Sequence, residues 1–526
     1  MALGIQSALP GGHPSRRDLL RLSAAGIVGV SGLSACAAVP AKPSGNAPQV
    51  RGGVLSHGAT GGGLKDSLDP HFPVTSPDIA RVLQLYEPLL RWSSDYKIES
   101  SIAESVAPSA DGKQWTIRLR PDVVFHHGKT LTPADVMHTL AVVTDPKKTS
   151  PGGVGLAAVL DLKNSKIVDK RTIKLQLKTP YAVLDQLLAE YTVGIIPTDF
   201  NIKKPVGTGP FKYTSFVPGQ VSRFARFDNY WDTPAWVDEL FIYDFPDDSA
   251  KVNALLAGQV QTIDNLPSYL VHSLGNQGAS ALISDSGTWI PFTMRVDAAP
   301  YSDVRVRQAL RLVVDRQQMI DQALNGYGVI GNDLYAPFDP AYARDLPQRK
   351  QDVAQAKSLL KSAGKSDLSV ELVTSTAVGA GGVEAANLFA AQARGVGIKV
   401  KLTKADPTIF YGAQYLKWDF AQDFWATRNY IPQASSCTLP GAAYNETHWK
   451  NPKFNDLVGR ASRTIKEAPR TALLRQAQQI EYDSGGYIIW GFKRQVDAYS
   501  NLVQGLKPNR YLPCDSYGFK HVSFVK

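Results

Sequence analysis

Trp115-Thr116-Ile117-Arg118-Leu119 alternates large apolar with polar residues, the two-residue period of a strand with one face buried. Ile173-Lys174-Leu175-Gln176-Leu177 and Ile398-Lys399-Val400-Lys401-Leu402 repeat the pattern. Between and beyond them the period changes. Val306, Ala309, Leu310, Val313, Ile320 and Ala323 fall on one helical face, and so do Val353, Ala356, Leu359, Leu360 and Ala363, a helix ended by Gly364. Thr132-Pro133-Ala134-Asp135 combines a capping threonine with a proline in the first helical turn. Strands and helices therefore alternate in a mixed α/β chain, and 526 residues call for two or three domains. No internal repeat is visible.

Composition narrows the class. Hydrophobic residues make up 44% and charged residues 20%, enough to build substantial cores. The formal net charge is +10, but the basic residues are scattered without a run of five, so nucleic acid is not an expected partner. There is no Gly-x-Ser-x-Gly elbow and no His-Glu-x-x-His, so no enzyme is expected. Gly128-Lys129-Thr130 resembles the end of a phosphate loop, yet Val123 stands where its first glycine belongs. His126-His127 read as turn residues rather than metal ligands, and Asp244, Asp247 and Asp248 lack the spacing of a calcium loop. No metal and no cofactor are expected.

The first residues point to export. Ser15-Arg16-Arg17-Asp18-Leu19-Leu20-Arg21 precedes a short apolar stretch from Leu22 to Leu33, too short to span a bilayer. The adjacent arginines resemble a twin-arginine signal, and Leu33-Ser34-Ala35-Cys36 resembles a lipobox whose cysteine is acylated. Residues 1–35 are thus expected to be a signal peptide, Cys36 a lipid anchor at the outer face of the cytoplasmic membrane, and residues 36–50 a flexible tether. Cys437 and Cys514 then remain. Outside the cytoplasm they can pair, provided that the fold brings them together.

A set of further motifs follows in a fixed order: Ser67-Leu68-Asp69-Pro70, Tyr86-Glu87-Pro88-Leu89-Leu90, Ile102-Ala103-Glu104-Ser105, the run Asp111 to Arg120, and Val124-Phe125-His126-His127-Gly128-Lys129. Val206-Gly207-Thr208-Gly209-Pro210-Phe211, Asn229-Tyr230-Trp231, Asp303 to Leu310 with Asp315-Arg316, Ala356 to Gly364 and Gly397-Ile398-Lys399-Val400 complete it. In this order the chain resembles the dipeptide/oligopeptide/nickel class of solute-binding proteins, family 5 of the ABC-transporter receptors. The resemblance implies a bilobed periplasmic-binding-protein type II-like (cluster C) fold with two discontinuous lobes. One lobe would comprise 51–88, 208–297 and 491–526, with a subdomain at 89–207; the other would be 298–490. It implies a monomer that encloses a small-molecule or peptide ligand by hinge closure and hands it to an ABC permease and ATPase. Sensing and chaperone roles use the same fold, and the sequence does not separate them from transport. The glycines of Gly207-Thr208-Gly209-Pro210 are expected to supply positive φ at a crossing between lobes.

The resemblance also locates the pocket, in Trp418 to Tyr430. Family members commonly carry a Trp followed three residues later by an Asp that receives a peptide's α-ammonium. Trp425 matches the first; the second is Arg428, a reversal of charge. A guanidinium in a closed cleft repels an ammonium and suits a carboxylate or phosphate, which favours an anionic or N-blocked solute. Two alternatives stay open: Arg428 pairs with Asp423 or another carboxylate and faces away, or Asp423 takes the peptide-type role. Trp425 itself is either pocket wall or core. Asn429, Tyr430, Val74 and Thr75 complete the expected ligand-binding residues.

Overall fold

A computed structural model describes residues 48–526; the expected signal peptide, Cys36 and nearly all of the tether lie outside them. The deciding stretch forms the strand Gln114–Leu119 in a four-stranded antiparallel sheet, ordered Ala103–Pro108, Gln114–Leu119, Thr172–Leu177, Leu160–Ile167. Trp115 pairs with Leu175 and Ile117 with Ile173, and this buried face packs on Val136, Leu140 and Val143 of the helix Pro133–Val143. Asp135 reaches back to the Thr132 N–H at 3.0 Å and closes the cap.

A mixed eight-stranded sheet is drawn from four separate parts of the chain. Its order is Ala279–Trp289, Gly491–Ser500, Thr262–Ile263, Val54–Thr60, Glu239–Phe245, Val221–Arg226, Phe211–Val217, with Gly328–Ile330 also on Gly491–Ser500. A five-stranded sheet, Lys399–Lys404, Ser369–Thr374, Phe420–Gln422, Phe292–Met294, Tyr487–Ile488, forms the second body. The chain crosses between the two sheets at residues 289–292 and 488–491. Phe292 already pairs with Gln422 and Ile488, so this changeover comes before the expected 297/298. Conversely, Gly328–Ile330, inside the span expected for the second lobe, joins the sheet of the first.

The helical face read from Val306 to Ala323 is two helices, Val304–Val313 and Arg316–Ala323, because Asp315 leaves helical geometry and accepts from the Gln318 N–H at 3.0 Å. Arg307 of the Asp303–Leu310 region and Arg311 just after it point inward. They donate to backbone carbonyls, including Ser484 (2.6 Å) and Tyr487 (3.0 Å), so the motif locks a helix to the returning chain. Gly207 and Gly209 do not have positive φ. They are glycines because the backbone passes too close: a methyl at Gly207 would meet the Leu85 carbonyl, and one at Gly209 the Gln84 carbonyl. His126 pins this crossing, its Nε2–H donating to Gly209 O (3.0 Å) while Nδ1 accepts from the Gly207 N–H (3.3 Å).

Cys437 and Cys514 do not form the disulfide considered above; both are free and buried. They belong to different hydrophobic cores. The Cys437 thiol donates to Gln433 O (3.3 Å) and the Cys514 thiol to Ile263 O (3.4 Å). Among the described residues no helix is long and apolar enough to cross a membrane.

Candidate functional site

The strand Phe420–Gln422 lies inside the five-stranded sheet, between Phe292–Met294 and Ser369–Thr374. Beyond Gln422 the chain leaves that sheet and makes a two-bond bridge to the crossing segment, Trp289 N–H to Trp425 O at 3.0 Å and Trp425 N–H to Trp289 O at 2.9 Å. This bridge fixes where residues 423–430 stand.

Trp425 is core. Its ring stacks on Trp289 at 6.0 Å, Trp289 stacks on Tyr335, and Tyr335 stacks on Tyr430 at 4.8 Å. The Trp425 indole N–H donates to Glu446 Oε1 (3.1 Å). Tyr430 ends the column fully buried, its hydroxyl donating to Glu481 Oε2 at 2.6 Å, so its side chain has no surface to offer a ligand. The expectation that Tyr430 contacts ligand is corrected accordingly.

Asp423 does not pair with Arg428. Its carboxylate accepts from Tyr411 Oη (2.8 Å), Tyr415 Oη (2.9 Å) and the Phe424 N–H (2.8 Å), and it is buried. Behind it lies Glu446, also buried, which accepts a short hydrogen bond from the Tyr487 hydroxyl. Burial, with the Asp423 charge beside it, holds the Glu446 carboxyl well above the ordinary range. Asp423 is thus spent on two tyrosines.

Arg428 differs from all its neighbours. Its guanidinium lies over the Trp425 ring at 5.3 Å, Nη1 is buried without a hydrogen-bond partner, and it forms no ion pair among the described residues. Its charge is felt by Glu190 of the 89–207 region, which accepts from the Tyr511 hydroxyl (3.0 Å). Burial raises the Glu190 carboxyl, with the Arg428 charge and the tyrosine hydrogen bond opposing. Phe424, four residues earlier, is half-exposed.

The early loop is anchored by groups that periodicity could not reveal. Arg81 is fully buried and donates to Asp66 (2.9 Å), Asp78 (3.4 Å), Ser222 (2.9 Å) and, through a short contact, Asp244. His71 Nε2 donates to Gly194 O at 3.0 Å. Between these ties Val74 stands 84% exposed. Thr75 caps the helix Ser76–Leu85, its Oγ1 accepting from the Asp78 N–H at 3.3 Å. Among the described residues, the hydrogen bonds of Val74 and Thr75 go to Asp78 and Ile79 and none reaches residues 423–430. Asn429 lines a separate cavity, which Arg428 does not.

Comparison with known proteins gives a consistent picture. Residues 97–445 match the family model described as bacterial extracellular solute-binding proteins, family 5 middle. The glutathione-binding protein GsiB of Pectobacterium atrosepticum is 24% identical over 465 residues, 84% of this chain and 89% of that protein. The nickel-binding periplasmic protein of Escherichia coli is 27% identical over 315 residues, 56% of this chain and 59% of its own. Among solved structures, the ABC transporter substrate-binding protein CtaP of Listeria monocytogenes superposes with a TM-score of 0.80 at 22% identity, covering 90% of this chain and 100% of that one. The two curated relatives are named for chemically unlike ligands, so a name alone carries no ligand over to this chain.

Proposed function

This chain belongs to the bacterial extracellular solute-binding proteins of family 5, and on that premise we propose that it captures a small anionic or N-blocked solute through Arg428. It is an extracytoplasmic binding receptor of the type II periplasmic-binding fold, serving an ABC permease and ATPase. The finer reading adds that Cys36 anchors it to the membrane and that it acts as a monomer. The lipobox and the twin-arginine stretch support the anchor.

The observation that carries the ligand class is the buried, unpartnered Nη1 of Arg428. A buried donor left unmade costs about 1–3 kcal/mol, which a ligand oxygen returns on binding. A planar guanidinium matches a carboxylate or phosphate with two parallel hydrogen bonds. The competing cation site at Asp423 is weakened, because both its oxygens already accept from tyrosines. An ordinary peptide presenting a free ammonium therefore meets a positive charge at Arg428 and a closed carboxylate at Asp423.

The test is a thermal-shift screen of the purified protein against free peptides, N-acylated amino acids and small organic anions, repeated in Arg428→Ala. A ligand at a hundred times its Kd adds about 2.7 kcal/mol. Stabilisation by carboxylate-bearing compounds that disappears in Arg428→Ala supports the reading. Stabilisation by peptides with free amino termini, unchanged by the substitution, overturns it in favour of an ordinary peptide receptor.

A further inference from the structure

The residue after Arg428 faces different chemistry. Asn429 occupies the N-cap position of the helix Tyr430–Cys437, where an asparagine oxygen ordinarily accepts from the first helical turn. Here it makes no cap bond. The side chain is 5% exposed, its Oδ1 has no partner, and it lines a cavity of about 530 Å³. That volume lies within the range of small-molecule sites.

Most of the cavity lining comes from the hairpin Leu90–Trp92 with Ile98–Ser100, the bulged end of the strand Ala279–Trp289 and the 337–344 segment, and Gln186, Val329, Asn429 and Arg510 help to close it. Its apolar wall is aromatic. Trp92 and Tyr96 stack face to face at 4.1 Å and 3°, Phe338 stands 6.2 Å from Tyr96, and the Arg510 guanidinium lies over Phe338 at 4.7 Å. The Tyr96 hydroxyl is committed to Thr427 O (3.1 Å), so this residue offers its ring rather than its oxygen. Gln186 supplies a second unpartnered amide oxygen, and Val329 is partly exposed at the wall.

We propose that this cavity is a second binding site, for a flat aryl amide or heteroaromatic ring whose amide-like edge pairs with Asn429 and Gln186. Aromatic walls favour a planar body by stacking and area burial. An amide edge carries both a donor and an acceptor, so it satisfies a side-chain amide in either orientation. An aliphatic ligand would leave the two oxygens unpaired. A simple anion would gain little, because Arg510 already lies 3.6 Å from Asp95 and Arg344 donates to Pro337 O (2.7 Å).

Benzamide and hypoxanthine are the probes, followed by saturation-transfer NMR and titration on the purified protein. Cyclohexanecarboxamide serves as the non-aromatic control. Saturable binding of either probe is expected, weakened at least about tenfold, or about 1.4 kcal/mol, in Val329→Trp, which fills the cavity from its exposed wall, and in Asn429→Leu, which keeps a similar volume and removes the oxygen acceptor. Arg428→Ala should leave probe binding unchanged, and Val329→Trp should leave carboxylate stabilisation of the cleft unchanged, so the two sites fail separately. Absence of saturable binding by both probes, or binding unaffected in both folded variants, overturns the proposal. So does equal binding of the cyclohexane control.

Discussion

Glu481 is a buried carboxyl that accepts from the Tyr430 hydroxyl at 2.6 Å, and burial pushes its pKa up to about 8, with the Tyr430 hydrogen bond, the Arg311 charge and Tyr335 opposing. In the unfolded chain the same group titrates near 4.5. A folded pKa above the unfolded one means that the native state holds the proton more tightly. The resulting stability is complete below about pH 4.5 and is lost as pH rises through about 8. Between pH 5 and pH 8 the two-state linkage relation gives a loss of about 3 kcal/mol from this group. With an unfolding entropy of about 2.1 cal/mol/K per residue, the described body loses about 1 °C per kcal/mol, so its Tm should fall by about 3 °C across that window. Glu481→Gln keeps the shape and stays neutral, and it should remove that part of the slope while leaving the melt at pH 5 nearly unchanged. Calorimetric or fluorescence melts of both proteins at pH 5, 6, 7 and 8 measure it. Identical pH slopes in the two would show that Glu481 is ionised in the folded protein, and the argument from burial would be wrong.

Two further outcomes follow from the geometry. Gly209→Ala places a methyl against the Gln84 carbonyl with ordinary negative φ, so it should cost about 1–3 kcal/mol through overpacking at the lobe crossing, read as a lowered Tm with unchanged ligand class. Cys36→Ser should move the protein from the membrane fraction to the soluble extracytoplasmic fraction; retention in the membrane would remove the anchor from the proposed function.

What was legible in the sequence was whatever depends on neighbours along the chain. The alternation in Trp115–Leu119 and the Thr132 cap are local, and both appear where the pattern placed them. The break at Asp315 was hidden because the apolar face of Val304–Val313 happens to run on in phase into Arg316–Ala323. Gly207 and Gly209 look in sequence like turn glycines, whereas the structure requires them because of Leu85 and Gln84, more than a hundred residues away, a relation no local rule contains. The same limit governs the candidate site. Charge reversal at Arg428 was readable from one position; whether that charge is free was not, because Asp423, five residues earlier, could have neutralised it. Only the fold shows that Tyr411 and Tyr415 occupy that carboxylate and that no other acid among the described residues reaches Arg428 as an ion pair. A positive group left half-buried with an unmade hydrogen bond is costly unless something periodically completes it. In a receptor whose cleft fills and empties, that cost is tolerable in the empty state, and its relief is part of what makes the filled state hold. The sharpest discriminator is therefore Arg428→Met, which keeps an apolar side chain beside Trp425 and deletes the unmade Nη1 donor. If the guanidinium exists for the ligand, this variant should be at least as stable as the parent when empty and should lose anion binding; if it is lattice-work of the fold, the empty protein itself should weaken.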